Sequence, residues 1–179
     1  VFVDNDVNVM ALAERDKGAA SDLAYRRGSF LLVKAGTGIG AGIVINGEIY
    51  RGAKGAAGDI GHIGIDGDAT LARCGNTGCL EAVAGGRALA ARAQAAARGD
   101  RSPYLAEALD RGEALDAEAL ARGAACGDEE CLRLVASAGA YLGTVLAKLV
   151  NFFNPSLIVI SGGLTNLGER FIASVRESI

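Results

Sequence analysis

Gly58-Asp59-Ile60-Gly61-His62, followed closely by Cys74-Gly75-Asn76-Thr77-Gly78-Cys79-Leu80-Glu81, sets the chain's one histidine among two cysteines, two acids and several glycines. The stretch has neither a helical nor an alternating apolar period, so residues 52–81 read as a glycine-rich site loop, not a core element. Two other pieces share this character. Asp4-Asn5-Asp6-Val7-Asn8 lies where the strand-like Val1-Phe2-Val3 hands over to a helix, a junction that offers free backbone N–H groups and exposed side chains to a ligand. Gly36-Thr37-Gly38-Ile39-Gly40 forms a turn between two β-like runs. Its glycines let backbone N–H groups approach an anion without a Cβ in the way, and phosphate is the natural ligand, although tight hairpins use the same residues.

The flanking pattern alternates strands and helices. Asp6 to Asp16 reads as a helix with Val9, Leu12 and Ala13 on one side; Ser29 to Lys34 and Gly42 to Ile45 are strand-like, and Asn46-Gly47 is a two-residue hairpin signal. Arg51 to Gly78 is loop. An Ala-rich helix runs from Glu81 to Arg98, Ser102-Pro103 and Asp116 start two more, and the longest runs from Asp128 to Asn151, where Gly139 and Gly143 allow a neighbour to approach closely. Leu157 to Ser161 is a short apolar strand feeding Gly162-Gly163, and Phe171 to Ile179 is an amphipathic helix without a C-cap. This order predicts an α/β domain. The abrupt ends suggest that residues 1–179 are a single-domain piece of a longer protein.

Composition narrows the function. Half of the 179 residues are hydrophobic, enough for one packed core. Gly at 26 residues is about twice the usual share, while Pro stands at only 2, so the glycines serve turns and close approaches more than disorder. Net charge is -3 with basic residues scattered among acids, so the chain should not hold DNA by itself. No apolar run approaches the roughly 18 residues of a membrane span and no secretory pattern opens the chain, which makes cytoplasm the expected location. Cys126 and Cys131 fall in an Ala-rich helical stretch and read as buried, inert thiols.

Together the four quoted pieces, over about Val3 to Gly163, resemble the ROK family of bacterial sugar kinases and sugar-responsive repressors. The resemblance implies the C-terminal lobe of the ribonuclease-H-like, actin-like ATPase fold with added helices, and assembly as a homo-oligomer, a dimer or tetramer. It also implies roles. The aspartate matching Asp6 is the catalytic base of the kinases, Asn5 matches a sugar ligand, and Asp59, His62 and Glu81 match sugar contacts, the first usually being glutamate. Gly36, Thr37, Gly38 and Gly40 match a phosphate turn, and Gly162 and Gly163 an adenosine-binding turn, although close helix–strand packing would demand the same glycines. Family members hold a structural zinc with a histidine and the pattern Cys-x-Cys-Gly-x-x-Gly-Cys. Here His62, Cys74 and Cys79 match, but Ala72 replaces the first cysteine, which leaves one ligand fewer than a closed site wants. Water, Asp66 or Asp68 could complete the set.

The residues themselves agree with these roles. A sugar hydroxyl needs a carboxylate within reach before it can attack a phosphoryl group, and Asp6 can serve, although Asp4, Asn5 or Asp6 could equally just cap a helix. A hexose presents several hydroxyls that both donate and accept, and acids, an amide and a histidine answer that need. Two readings remain. One is the sugar-sensing domain of a transcriptional regulator, with DNA bound through a module outside this chain; the other is part of a sugar kinase using ATP and Mg²⁺. The opening Val3-Asp4-Asn5-Asp6-Val7-Asn8 and the run Ala56-Ala57-Gly58-Asp59-Ile60-Gly61-His62 resemble regulator members more than kinases, and the altered acid at Asp59 and the Ala72 replacement agree with that leaning.

Overall fold

The computed structural model describes residues 3–179, so the strand expected at Val1-Phe2-Val3 lies largely outside the described residues. Among the described residues a four-stranded sheet organises the fold: β1 (Phe30–Ala35), β2 (Ile39–Ile45), β3 (Glu48–Ile49) and β4 (Leu157–Ser161), in the order β3-β2-β1-β4. β1, β2 and β3 pair antiparallel, whereas β4 runs parallel to β1 with Phe30 opposite Leu157. The β2–β3 turn is the expected Asn46-Gly47, both at positive φ, which matches the twist of the flanking strands. The Gly36–Gly40 turn is tighter than its motif suggests, because Ile39 and Gly40 already belong to β2.

β1 alternates in and out. Phe30 and Leu32 join Val44, Leu157 and Val159 under α1 (Asp6–Lys17), which adds Val7 and Ala11. Val33 and Ala35 point to the opposite face, where Ile39 and Ala41 meet the main helical core. That core is built from α3 (Leu80–Ala84), α4 (Gly86–Arg98), α5 (Pro103–Asp110), α6 (Ala117–Ala125), α7 (Glu129–Phe153) and α8 (Glu169–Glu177); the one-turn α2 (Leu23–Arg26) lies outside it. Caps follow the sequence: Asn5, Asp22, Ser102, Asp116 and Asp128 each accept a hydrogen bond from a first-turn N–H.

Four expectations are corrected. α1 buries Val7, Asn8 and Ala11, while Val9 is exposed, because its apolar residues are spread around the helix and the close fit against Gly42 decides the face. The single helix expected over Glu81 to Arg98 is two, broken at Gly85: its extended backbone re-aims the chain so that the Gly86 N–H donates to the Gly36 carbonyl at 2.8 Å. Cys131 is buried as expected, but Cys126 ends α6 in solvent. α7 is long and apolar enough, by length and composition alone, to cross a membrane, contrary to the expectation of no such run; its buried side, including Leu134, Leu142 and Leu146, packs in the core.

Candidate sugar and metal site

Three cavities open around the β1–β2 turn. The first, about 400 Å³, is lined by Asn5, Asp6, Lys34, Gly38, Gly40 and the segment Gly55 to Asp59. The second, about 200 Å³, contains His62, Cys74, Cys79 and Glu81 along with Thr37 and Arg87. The third, about 450 Å³, is bounded by Gly36, Thr37, Gly38, Gly163 and Asn166, with Asp116 and Glu118 on its wall. Lys34 and Gly38 line both the first and the third.

Asn5 and Asp6 reach the first cavity from the start of α1, and each also caps it. Asn5 Oδ1 accepts from the Val7 N–H at 3.3 Å and Asp6 Oδ1 from the same N–H at 2.7 Å, so the capping role and a ligand-facing position coexist. The other Asp6 oxygen takes the Lys34 ammonium, which holds the Asp6 carboxyl below the usual carboxylate range. Behind them Arg51 clamps Asp4 at 2.6 Å, and the Asn8 amide donates to the same carboxylate at 2.8 Å. Asp4 is lowered in turn, by Asn8 first and Arg51 second.

The loop that follows is pinned by its backbone. Gly58 has a φ of +97° and lies where a Cβ would strike the Ala41 carbonyl, while its own carbonyl accepts the Ala41 N–H at 2.7 Å. This contact sets Asp59 at the mouth of the first cavity. A 3-10 turn, Ile60–His62, then brings His62 Nε2 to 3.7 Å from Asp59 Oδ2. Glu81 sits in the first turn of α3 and accepts the Ile39 N–H at 3.2 Å. Thus the five expected sugar residues do not share one hollow: Asn5, Asp6 and Asp59 line the first cavity, His62 and Glu81 the second, and the Asp59–His62 contact joins the two.

His62, Cys74 and Cys79 place one nitrogen and two sulfurs within 4.8 Å of one another, with the thiols 3.6 Å apart. One borderline nitrogen and two thiols suit zinc, and they make three of the four donors of a closed site. Ala72 is buried beside them and offers no donor. Neither acid considered as a fourth ligand joins the cluster: Asp66 contacts Lys148 and Asp68 accepts the Thr70 N–H. His62 is more basic than usual because of Cys74 and then Asp59, Cys74 is more acidic through the Asn76 N–H and then Cys79, and burial pushes Cys79 up.

Of the glycines, Gly36, Gly38 and Gly163 face the third cavity, and Gly40 faces the first. Gly162 instead has a φ of +104° and lies 2.5 Å, at its would-be Cβ, from the Ala35 carbonyl, so packing against β1 accounts for it. Sequence reasoning passed over Lys34, Arg87 and Asn166. Lys34 had a signal: it is the lone charge in Phe30–Ala35.

The ROK family profile matches residues 1–179. The chain belongs to the ROK family. A glucokinase from Halalkalibacterium halodurans is 38% identical over 179 residues, covering 99% of this chain and 53% of that protein. Among solved structures, a ROK transcriptional regulator, a homolog of E. coli MLC protein, superposes with a TM-score of 0.88 at 33% identity, over 100% of this chain and 43% of the other. A ROK glucokinase from Streptomyces griseus, in complex with glucose and AMPPNP, gives 0.84 at 30%, over 99% and 57%. This ROK chain therefore spans about half the length of these relatives, and its fold is the ribonuclease-H-like one of ROK kinases and regulators.

Proposed function

We propose that this chain is the sugar-binding, effector-sensing domain of a ROK transcriptional regulator. The observation that carries the reading is the ring of hydroxyl-matching groups around the first two cavities: the Asn5 amide, the Asp6 and Asp59 carboxylates, the His62 imidazole and the Glu81 carboxylate. Asn5 and Asp6 engage one side of a sugar; Asp59, His62 and Glu81 engage the other. Asp6 acts there as a hydrogen-bond acceptor, because both of its oxygens already meet a donor and its proton affinity is lowered. His62, Cys74 and Cys79 would hold a zinc ion, which when bound supplies a rigid anchor for the loop and fixes the His62 ring. DNA contact would come from residues outside this chain, and the site would lie in the cytoplasm, where a free sugar reports on uptake.

Identity to a glucokinase favours a second reading, in which Asp6 deprotonates a sugar hydroxyl and ATP bound with Mg²⁺ along Gly36, Thr37, Gly38 and Gly163 gives up its terminal phosphoryl group. One experiment separates the readings. The full-length protein is titrated calorimetrically with D-glucose, D-xylose and N-acetyl-D-glucosamine, and ADP release is followed with ATP and Mg²⁺. Binding of one sugar, weakened about tenfold or more by Glu81→Gln or Asp59→Ala, without sugar-dependent ADP release, is the expected result. Sugar-dependent release of ADP would assign the kinase instead.

A further inference from the structure

Lys34 is the residue in this site whose position neither the sugar contacts nor the phosphate turn explains. It sits near the end of β1, with about a third of its side chain exposed, and lines both the Asp6 cavity and the Gly36–Gly38 cavity. Its ammonium rests on Asp6 Oδ2, while Asp6 Oδ1 is held by the Val7 N–H at 2.7 Å. An ammonium on a flexible four-carbon stem carries three donors and can follow an anion over a few ångströms. Among the described residues, Asp6 is the only group bonded to it.

We infer that Lys34 couples the two cavities: a phosphate-bearing ligand at the Gly36–Gly38 turn draws the ammonium away from Asp6, and the released carboxylate then binds a sugar hydroxyl more tightly. The inference rests on the carbohydrate reading of the first cavity. Its physical basis is competition for one cation. With Lys34 in place, Asp6 offers a sugar only its remaining lone pairs; with Lys34 on a phosphate, one oxygen is free to accept a full hydrogen bond. The carboxylates of Asp116 and Glu118 on the wall of the third cavity oppose a bare anion, so the phosphate ligand enters as its magnesium complex. Linkage makes the effect reciprocal: sugar on Asp6 raises the affinity for the phosphate ligand by the same factor.

The test uses the full-length protein, the same three sugars and magnesium pyrophosphate as the phosphate probe. In the unmodified protein, saturating magnesium pyrophosphate should tighten sugar binding by about tenfold, within the usual range of coupling between sites. In Lys34→Met the sugar constant should be the same with and without the probe, and Lys34→Arg, which keeps the charge, should retain part of the coupling. Thermal melts of both variants verify that they fold. Equal sugar constants with and without the probe in the unmodified protein, or the same tightening in Lys34→Met, would overturn the coupling while leaving the sugar site standing. Failure of all three sugars to bind would overturn the carbohydrate reading and the coupling together.

Discussion

Cys126 and Cys131 lie in neighbouring helices and in opposite surroundings. Burial, followed by the side-chain hydrogen bond to Asp128, pushes the Cys131 thiol up from its ordinary 9.0 to about 12, whereas Cys126 ends α6 in solvent. Between those two values the unfolded chain gives up this proton and the folded chain keeps it, so the thiol makes stability fall as pH rises through that window. Below the lower value it contributes nothing. The limiting slope for one group is about 1.4 kcal/mol per pH unit. Urea unfolding measured across the window should therefore show a steeper loss for the unmodified chain than for Cys131→Ala, and iodoacetamide should label Cys126 in the folded protein while sparing Cys131. The sequence placed both thiols in one Ala-rich helical stretch, although Gly127-Asp128 directly after Cys126 already marks a helix end and a new start, with Cys131 inside the helix that follows. The candidate site residues were easier to pick out. Asn5, Asp6, Asp59, His62 and Glu81 stand at junctions where chemistry-bearing side chains interrupt apolar patterns, and the structure brings all five to adjoining cavities. Lys34 was missed because a single charge inside a strand reads as a solvated edge until the cavities on both sides of it are seen.

Among the elements, the α7–α8 contact makes the sharpest quantitative case. A Cβ at Gly139 would lie 2.5 Å from the Phe171 carbonyl, and one at Gly143 would lie 2.5 Å from the Val175 carbonyl. Replacing glycine by alanine inside a helix gains about 1 kcal/mol of propensity. Forcing a methyl against a backbone carbonyl of a packed neighbour costs about 1–3 kcal/mol, and a backbone atom cannot swing aside as a side chain can. Overpacking wins. Gly139→Ala and Gly143→Ala should each lower stability by up to about 2 kcal/mol in chemical denaturation, and a stabilised variant would show that α8 slides freely along α7. The two glycines were readable in the sequence as an invitation to a neighbour; which helix accepts it was not, since that depends on packing between segments remote in the chain. The break at Gly85 was hidden for a similar reason. Ala-rich periodicity continues across it, and only the Gly86-to-Gly36 hydrogen bond shows why the chain must turn there.

On the scale of the whole molecule, the alternation of strands and helices predicted an α/β architecture and located β1, β2, β4 and the long α7 within a few residues. Strand order was out of reach, because the β1–β4 pairing is made by residues far apart in the chain. β4 carries Leu157, Ile158, Val159 and Ile160, all half-buried, and among the described residues its outer side has no partner strand. An apolar edge of this kind accepts a foreign strand readily. Residues 1–179 expressed alone should therefore self-associate as concentration rises, and Val159→Lys should suppress that association in light scattering; a chain monomeric at all concentrations would mean that the edge is inert. The same pairing governs how the protein is made. Ser156 bonds to Ser29 across 127 residues. A ribosome moving at about 5–20 residues per second spends roughly 6–25 s between synthesising the two, and β1 must wait that long for its parallel neighbour. The nascent chain thus emerges with its central strand half-zipped, and folding is timed by translation.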